Sequence, residues 1–223
     1  MNTVLRSGGA EVLAAEAIRV WLAGSGLILI IFLILHLGGV LLAVVAPASF
    51  EVYATQIHAA PWLPLAEWGL LLVVVIHVIL TLLKRIVSRR NGNVAMLRSR
   101  RSDPWGSFAA RSQAIGGVLT LVFLLMHLSQ LRWPRPEAGA ELLALREVLG
   151  QPLSLVVYLA AAGLMGVHLL HGGEAAHRSL GLLDPGNAGL IRRSSRVLAL
   201  VVSAGFAMAV VLIAAPALLT SQP

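Results

Sequence analysis

Five stretches of the chain contain no lysine, arginine, aspartate or glutamate: residues 21–46, 68–83, 113–131, 152–172 and 197–219. The second extends back past Glu67 through Leu65 to about residue 64. A helix needs about 20 apolar residues, within a range of roughly 17–25, to cross the hydrocarbon core of a bilayer. Strands of a membrane barrel would alternate apolar and polar residues instead. Within lipid, one continuous apolar run satisfies its own backbone only as a helix. Composition excludes the soluble alternatives. The 223 residues are 58% hydrophobic and 12% charged, with a mean hydropathy of +0.86, where a soluble domain is about 25% charged. A soluble enzyme and an ordinary nucleic-acid-binding domain are therefore excluded, and no nucleic acid is expected as a partner. Cysteine is absent, which removes disulfides, thiolate zinc sites and cysteine nucleophiles. The sequence predicts an all-α integral membrane protein with five transmembrane helices in a single membrane domain over 1–223.

The loops set an orientation. The net charge is +7, and the bases flank the apolar spans. Arg6 and Arg19 precede the first span, eight bases lie between Lys84 and Arg111, and Arg178, Arg192, Arg193 and Arg196 precede the fifth. That places fourteen Lys and Arg on one side, against Arg132, Arg135 and Arg146 on the other. The excess of bases marks the cytoplasmic side, so the N-terminus is expected inside and the C-terminus outside. Anionic lipid accounts for part of this basic surface, and a cytoplasmic docking partner is the sharper reading. Residues 8–20 read as a short amphipathic helix on the inner surface. Residues 137–149 read as another outside, with Leu142, Leu145 and Leu149 at helical spacing.

Of seven histidines, His36, His77, His127, His168 and His171 lie inside the apolar spans. Ionisable residues at membrane depth are costly and mark function. A single histidine there is accounted for by a hydrogen bond to a neighbouring helix; one on each of four helices is harder to explain that way. Depth sorts four of them into pairs. At about 1.5 Å per residue, His36 lies roughly 25 Å from Arg19 and His127 roughly 24 Å from Arg111, both on outward-running helices. On inward-running helices, His77 and His168 lie roughly 10 to 15 Å from Lys84 and Arg178. Neither level offers the three or four ligands of a zinc site or the carboxylates of a proton relay. Two facing imidazoles do suit the axial positions of haem iron, whose macrocycle fits apolar walls. Small residues such as Gly24, Gly26, Gly38, Gly116, Gly117 and Gly163 let a flat group approach the helices, and they equally serve tight helix packing. The residues thus point to two stacked b-type haems in the bundle of the first four helices, with His36 and His127 at the outer level and His77 and His168 at the inner.

These residues resemble the single-chain, five-helix, di-haem cytochrome b anchor of succinate dehydrogenase and fumarate reductase, respiratory complex II. The third helix, RSQAIGGVLTLVFLLMHL, carries Gln113, Gly117, Phe123 and His127 at the family's spacing. In HLLHGGEAAHRSLG, His168 with Gly172 four residues on fits the family's fourth-helix pattern, which makes His168 and not His171 the ligand. His36 in IIFLILHLGG and His77 in VVVIHVIL match the first two helices. The likeness covers about residues 17–215. Gly166 stands two before His168, where proton-pathway fumarate reductases carry a glutamate, so succinate dehydrogenase is favoured.

The resemblance implies two cytoplasmic partners, a flavoprotein subunit carrying FAD and an iron–sulfur subunit. It implies electron transfer from the inner haem to the outer haem and on to a membrane quinone, with the dicarboxylate chemistry left to the partner. A homotrimer of the whole complex is among the assemblies it allows, and a bacterial cell (inner) membrane is its setting. Outside is electrically positive, so an outward electron runs downhill, which suits a low-potential acceptor such as menaquinone. For the quinone, His58, Trp62, Glu67 and Trp68 form one candidate set near the start of the second helix; Arg19, Trp21, Trp105 and Arg111 form a competing inner set. Both tryptophans of the outer set also fit an interfacial belt. Haem propionates need cations, and the candidates are Arg132 outside and Arg19, Lys84, Arg85, His171 and Arg178 inside. Two other readings stand beside this one: the di-haem subunit of a quinone-linked formate dehydrogenase or hydrogenase, and a haem-free transporter whose histidines bind substrate or protons.

Overall fold

The computed structural model describes residues 2–90 and 104–220. Arg98, Arg100 and Arg101 of the basic loop lie outside the described residues, as do the side chains of Arg6, Arg89 and Arg90. Among the described residues every regular element is a helix: α1 Asn2–Val45, α2 Pro47–Ala59, α3 Leu63–Arg90, α4 Pro104–His127, α5 Glu141–Leu149, α6 Pro152–Ser179 and α7 Ala188–Thr220. Five are long and apolar enough to cross a membrane: Leu13–Val45, Leu63–Val87, Pro104–Arg132, Pro152–Ser179 and Ala188–Pro216. By length and composition this is a multi-pass membrane protein. Large apolar side chains stand exposed along these helices, among them Leu35, Leu65, Leu72, Val118, Leu153 and Leu200. In hydrocarbon such faces carry no penalty.

The helices outrun the charge-free segments, chiefly at the base-rich ends expected to lie inside. Residues 8–20 form no separate surface helix; α1 runs through them into the first span without a break. No proline stands there to break the hydrogen-bond ladder, and Ala10, Leu13, Ala14 and Ala15 keep it going. The outer helix begins at Glu141 instead of 137, because residues 137–140 form a turn around Gly139, whose φ of 84° favours glycine. Between α1 and α3 the chain forms α2, started by Pro47 in the first helical turn.

Small residues weld part of the bundle. A Cβ on Gly166 would meet Ser203 Cβ at 2.8 Å, and one on Gly173 would meet Ser195 Oγ at 2.7 Å, so α6 and α7 approach at van der Waals limits. Ser203 Oγ also donates to the Ala162 carbonyl at 2.8 Å. Gly205 of α7 admits Leu37 of α1 in the same way. A buried cluster of Ala43, Phe50, Ala54, Leu142, Leu149, Tyr158 and Ile213 ties α2 and α5 to the outer ends of α1, α6 and α7. By contrast, α3 packs against α1, and α4 against α6, with no comparable packing of α3 on α4 or α6. His77 of α3 and His168 of α6 reach across that looser seam, and His36 of α1 and His127 of α4 likewise belong to helices that do not pack closely on each other.

Candidate functional site

His36 of α1 and His127 of α4 face each other with ring centres 5.9 Å apart and planes at 81°. Phe32 and Phe206 flank the first ring, and Phe123 and Tyr158 flank the second. His77 of α3 and His168 of α6 face each other at 6.3 Å and 61°. The structure thus sets ring to ring the same two pairs that equal depth selects. Edge-on aromatic contact alone permits such distances. Two imidazoles bound to one metal through bonds of about 2 Å also hold their ring centres about 6 Å apart. Among the described residues no three His, Asp or Glu side chains cluster as a metal cage; the histidines come in twos.

Hydrogen bonding distinguishes the pairs. Ser25 Oγ lies 3.1 Å from His77 Nδ1, and Gln113 Nε2 lies 3.1 Å from His168 Nδ1. Nδ1 of His127 is buried without a partner, and so is Oε1 of Gln113. Glycines border the inner pair: a Cβ on Gly26 would reach van der Waals contact with His77 Cε1 at 3.4 Å, and one on Gly117 with His168 Cε1 at 3.9 Å. Two facing imidazoles at each level, the inner pair held at Nδ1 beside glycines and the outer pair walled by aromatic rings, are a donor set that suits a bis-imidazole haem. The residues present fit that group.

Ser25 was no sequence candidate, yet its depth was readable. It lies six residues past Arg19, much as His77 lies seven before Lys84. Gln113 stood out only through the family's spacing.

The remaining candidates separate. Below the inner pair, Lys84 of α3 is in electrostatic reach of Arg19 of α1 and Arg178 of α6, and His171 is in reach of Lys84, Arg178 and Glu174. Glu174 accepts from Arg178 at 2.7 Å and lies 3.6 Å from Arg192. Arg85, like Lys84, is exposed. Trp21, Trp105 and Arg111 are likewise exposed.

At the outer end, the four members of the expected quinone set point to different neighbours. Trp62 and Trp68 are exposed. His58 lies 3.4 Å from Glu141. Glu67 forms a two-bond ion pair with Arg132. A π turn over Leu128–Arg132, closed by Trp133 N–H donating to the Leu128 carbonyl at 2.9 Å, carries Arg132 to that position.

Outside the spans, Glu141 is nearly fully buried between α2 and α5. Thr55 Oγ1 donates to it at 3.1 Å and Gly139 N–H at 2.8 Å. Burial pushes its carboxyl upward, but the Glu51 side chain and these donors outweigh burial and hold it below the ordinary carboxylate value. Glu51 in turn accepts from the backbone N–H groups of Glu141 and Leu142, capping α5. No family model, curated protein or solved structure matches the chain.

Proposed function

We propose that the chain is the di-haem cytochrome b anchor of a succinate:quinone oxidoreductase in a bacterial cell membrane, delivering electrons from a cytoplasmic iron–sulfur subunit to quinone. The carrying observation is the two histidine pairs, at two heights, standing ring to ring across the seam between α1–α3 and α4–α6. Each bound b haem supplies a one-electron ferric–ferrous couple. His36 and His127 would hold the outer iron, and His77 and His168 the inner.

Held by two imidazoles, each iron would be closed to oxygen and substrate, so the chemistry it would supply is electron transfer. Phe32, Phe123, Tyr158 and Phe206 exclude water around the outer pair. Lys84, Arg19, Arg178 and His171 converge below the inner pair, and this excess of positive charge supports their role as partners of the inner propionates. Glu67 at the outer end is the candidate proton carrier for quinone, and menaquinone is the favoured species. Arg132 is taken up by Glu67, so the pair acts as one unit in that reading. The flavoprotein and iron–sulfur subunits would dock on the basic inner face.

The test is to change His36, His77, His127 and His168 to alanine one at a time in the assembled complex and count haem. Each variant is expected to lose one haem of two, at one level, while His171→Ala and His177→Ala keep both. Retention of both haems in any of the four removes that residue as a ligand.

A further inference from the structure

We propose that Ser25 and Gln113 are positioning residues of the inner pair, fixing the proton of His77 and His168 on Nδ1 so that Nε2 is the nitrogen offered to iron. The inference rests on the haem reading above and adds what selects the tautomer. A serine hydroxyl has one proton and two lone pairs. Ser25 Oγ donates that proton to the Leu22 carbonyl at 3.0 Å. Toward His77 Nδ1, 3.1 Å away, it has only a lone pair left. With the proton so placed, His77 donates from Nδ1–H and its lone pair lies on Nε2, the arrangement an iron-ligating imidazole needs.

The Gln113 amide meets His168 at the same nitrogen and the same distance. With its Nε2 donating, His168 would have to accept at Nδ1, and the buried Gln113 Oε1 would be left without a donor. A half turn of the amide brings Oε1 to Nδ1–H and gives His168 the tautomer of His77, with the amide NH2 taking the buried place of the orphaned oxygen; the need for a free Nε2 on an iron ligand selects this orientation. Both inner ligands then rest on neutral oxygen acceptors, from helices α1 and α4. Such acceptors orient a ligating imidazole and raise its basicity. The outer level differs, since His127 Nδ1 has no acceptor. The two levels are thereby made electronically unequal by side chains that touch no iron.

The experiment compares Ser25→Ala, Gln113→Leu and Ser25→Thr in the assembled complex, reading haem count, the low-temperature paramagnetic resonance of each ferric haem and each haem's redox titration. Removing an acceptor weakens the electron push on the ferric ion. Ser25→Ala and Gln113→Leu are expected to keep the outer haem unchanged. They should move the resonance of the haem that His77→Ala eliminates and shift its couple about tenfold toward the reduced form, the lower end of what outer-shell changes do to metal affinity. Ser25→Thr, which keeps the hydroxyl, should restore both readings. Loss of the inner haem alone in Ser25→Ala is the same result in stronger form. Unaltered signals in both variants, equal shifts at both levels, or loss of both haems overturn the assignment while leaving the histidine ligands standing. Absence of haem from the unaltered complex overturns the ligand reading itself and this one with it.

Discussion

Arg132, on the π turn that follows His127, grips Glu67 at the start of α3 through both its Nε and Nη2, at 2.5 Å each. The pair joins the outer end of α4 to a helix that α4 otherwise does not pack against. Its side chains are 26% and 34% exposed, so screening keeps its contribution to stability at about 1 kcal/mol or less. Glu67→Gln is therefore expected to leave the fold and both haems in place. As a proton carrier, however, Glu67 is expected to be needed for quinone turnover, which should fall by about 100-fold or more. Turnover assays beside haem spectra on the same preparation check this. Unchanged turnover moves the quinone to the inner end.

Gly26 offers a steric test of the inner level. Its missing Cβ would already touch His77 Cε1 at 3.4 Å, so the γ-methyls of Gly26→Val are expected to crowd that ring. The expected product binds one haem, with the outer signal intact. Gly69→Ala on α3, where nothing lies within 4 Å of the added Cβ, is expected to retain both. Haem-to-protein ratios of the two variants make the comparison.

Much of this arrangement follows from local sequence. Charge-free runs reveal spans because lipid demands them, and His36, His127, His77 and His168 fall at matching distances from Arg19, Arg111, Lys84 and Arg178. Other parts depend on contacts that no local pattern encodes. Glu67 and Arg132 are 65 positions apart, and their pairing needs a π turn whose sequence, Leu128–Arg132, gives no warning. The helix α2 mixes apolar and polar residues without a clear stripe, and Pro47 is its one local signal. Residues 8–20 read as separate because Arg19 looks like a boundary, whereas a helix continues through an arginine as readily as through a leucine. His58 seemed a neighbour of Glu67 in sequence, but α2 aims it at Glu141.

Glu141 sets a pH limit on the outer cap. Its carboxyl is held below the ordinary carboxylate value by Glu51, Thr55 and Gly139 despite burial. A depressed folded-state value means that its stabilising contribution is fully present above the unfolded carboxylate pKa and is lost as pH falls through the lower, folded one. The contacts of α2 with α5 should therefore be unchanged from neutral pH down to the carboxylate range and loosen only below it. Hydrogen exchange of the Glu141 and Leu142 amides, which Glu51 accepts, gives the reading after correction for intrinsic pH dependence. Glu141→Gln should loosen the same amides at neutral pH.

Placing electron entry inside and quinone reduction outside makes turnover sensitive to voltage. One charge crossing 100 mV is worth about 2.3 kcal/mol. With the interior negative, the potential assists outward electron movement. Collapsing it with an uncoupler in intact cells should slow succinate-driven menaquinone reduction. Equal rates with and without the potential place quinone reduction on the inner side.

The most direct measurement is the haem content of the purified chain, taken by reduced-minus-oxidised spectroscopy and by extraction of the pigment. Two b-type haems per chain, one of which disappears in His36→Ala and the other in His77→Ala, is the predicted result. A featureless spectrum from a folded, membrane-extracted chain contradicts it, and leaves the facing imidazoles as helix-packing contacts.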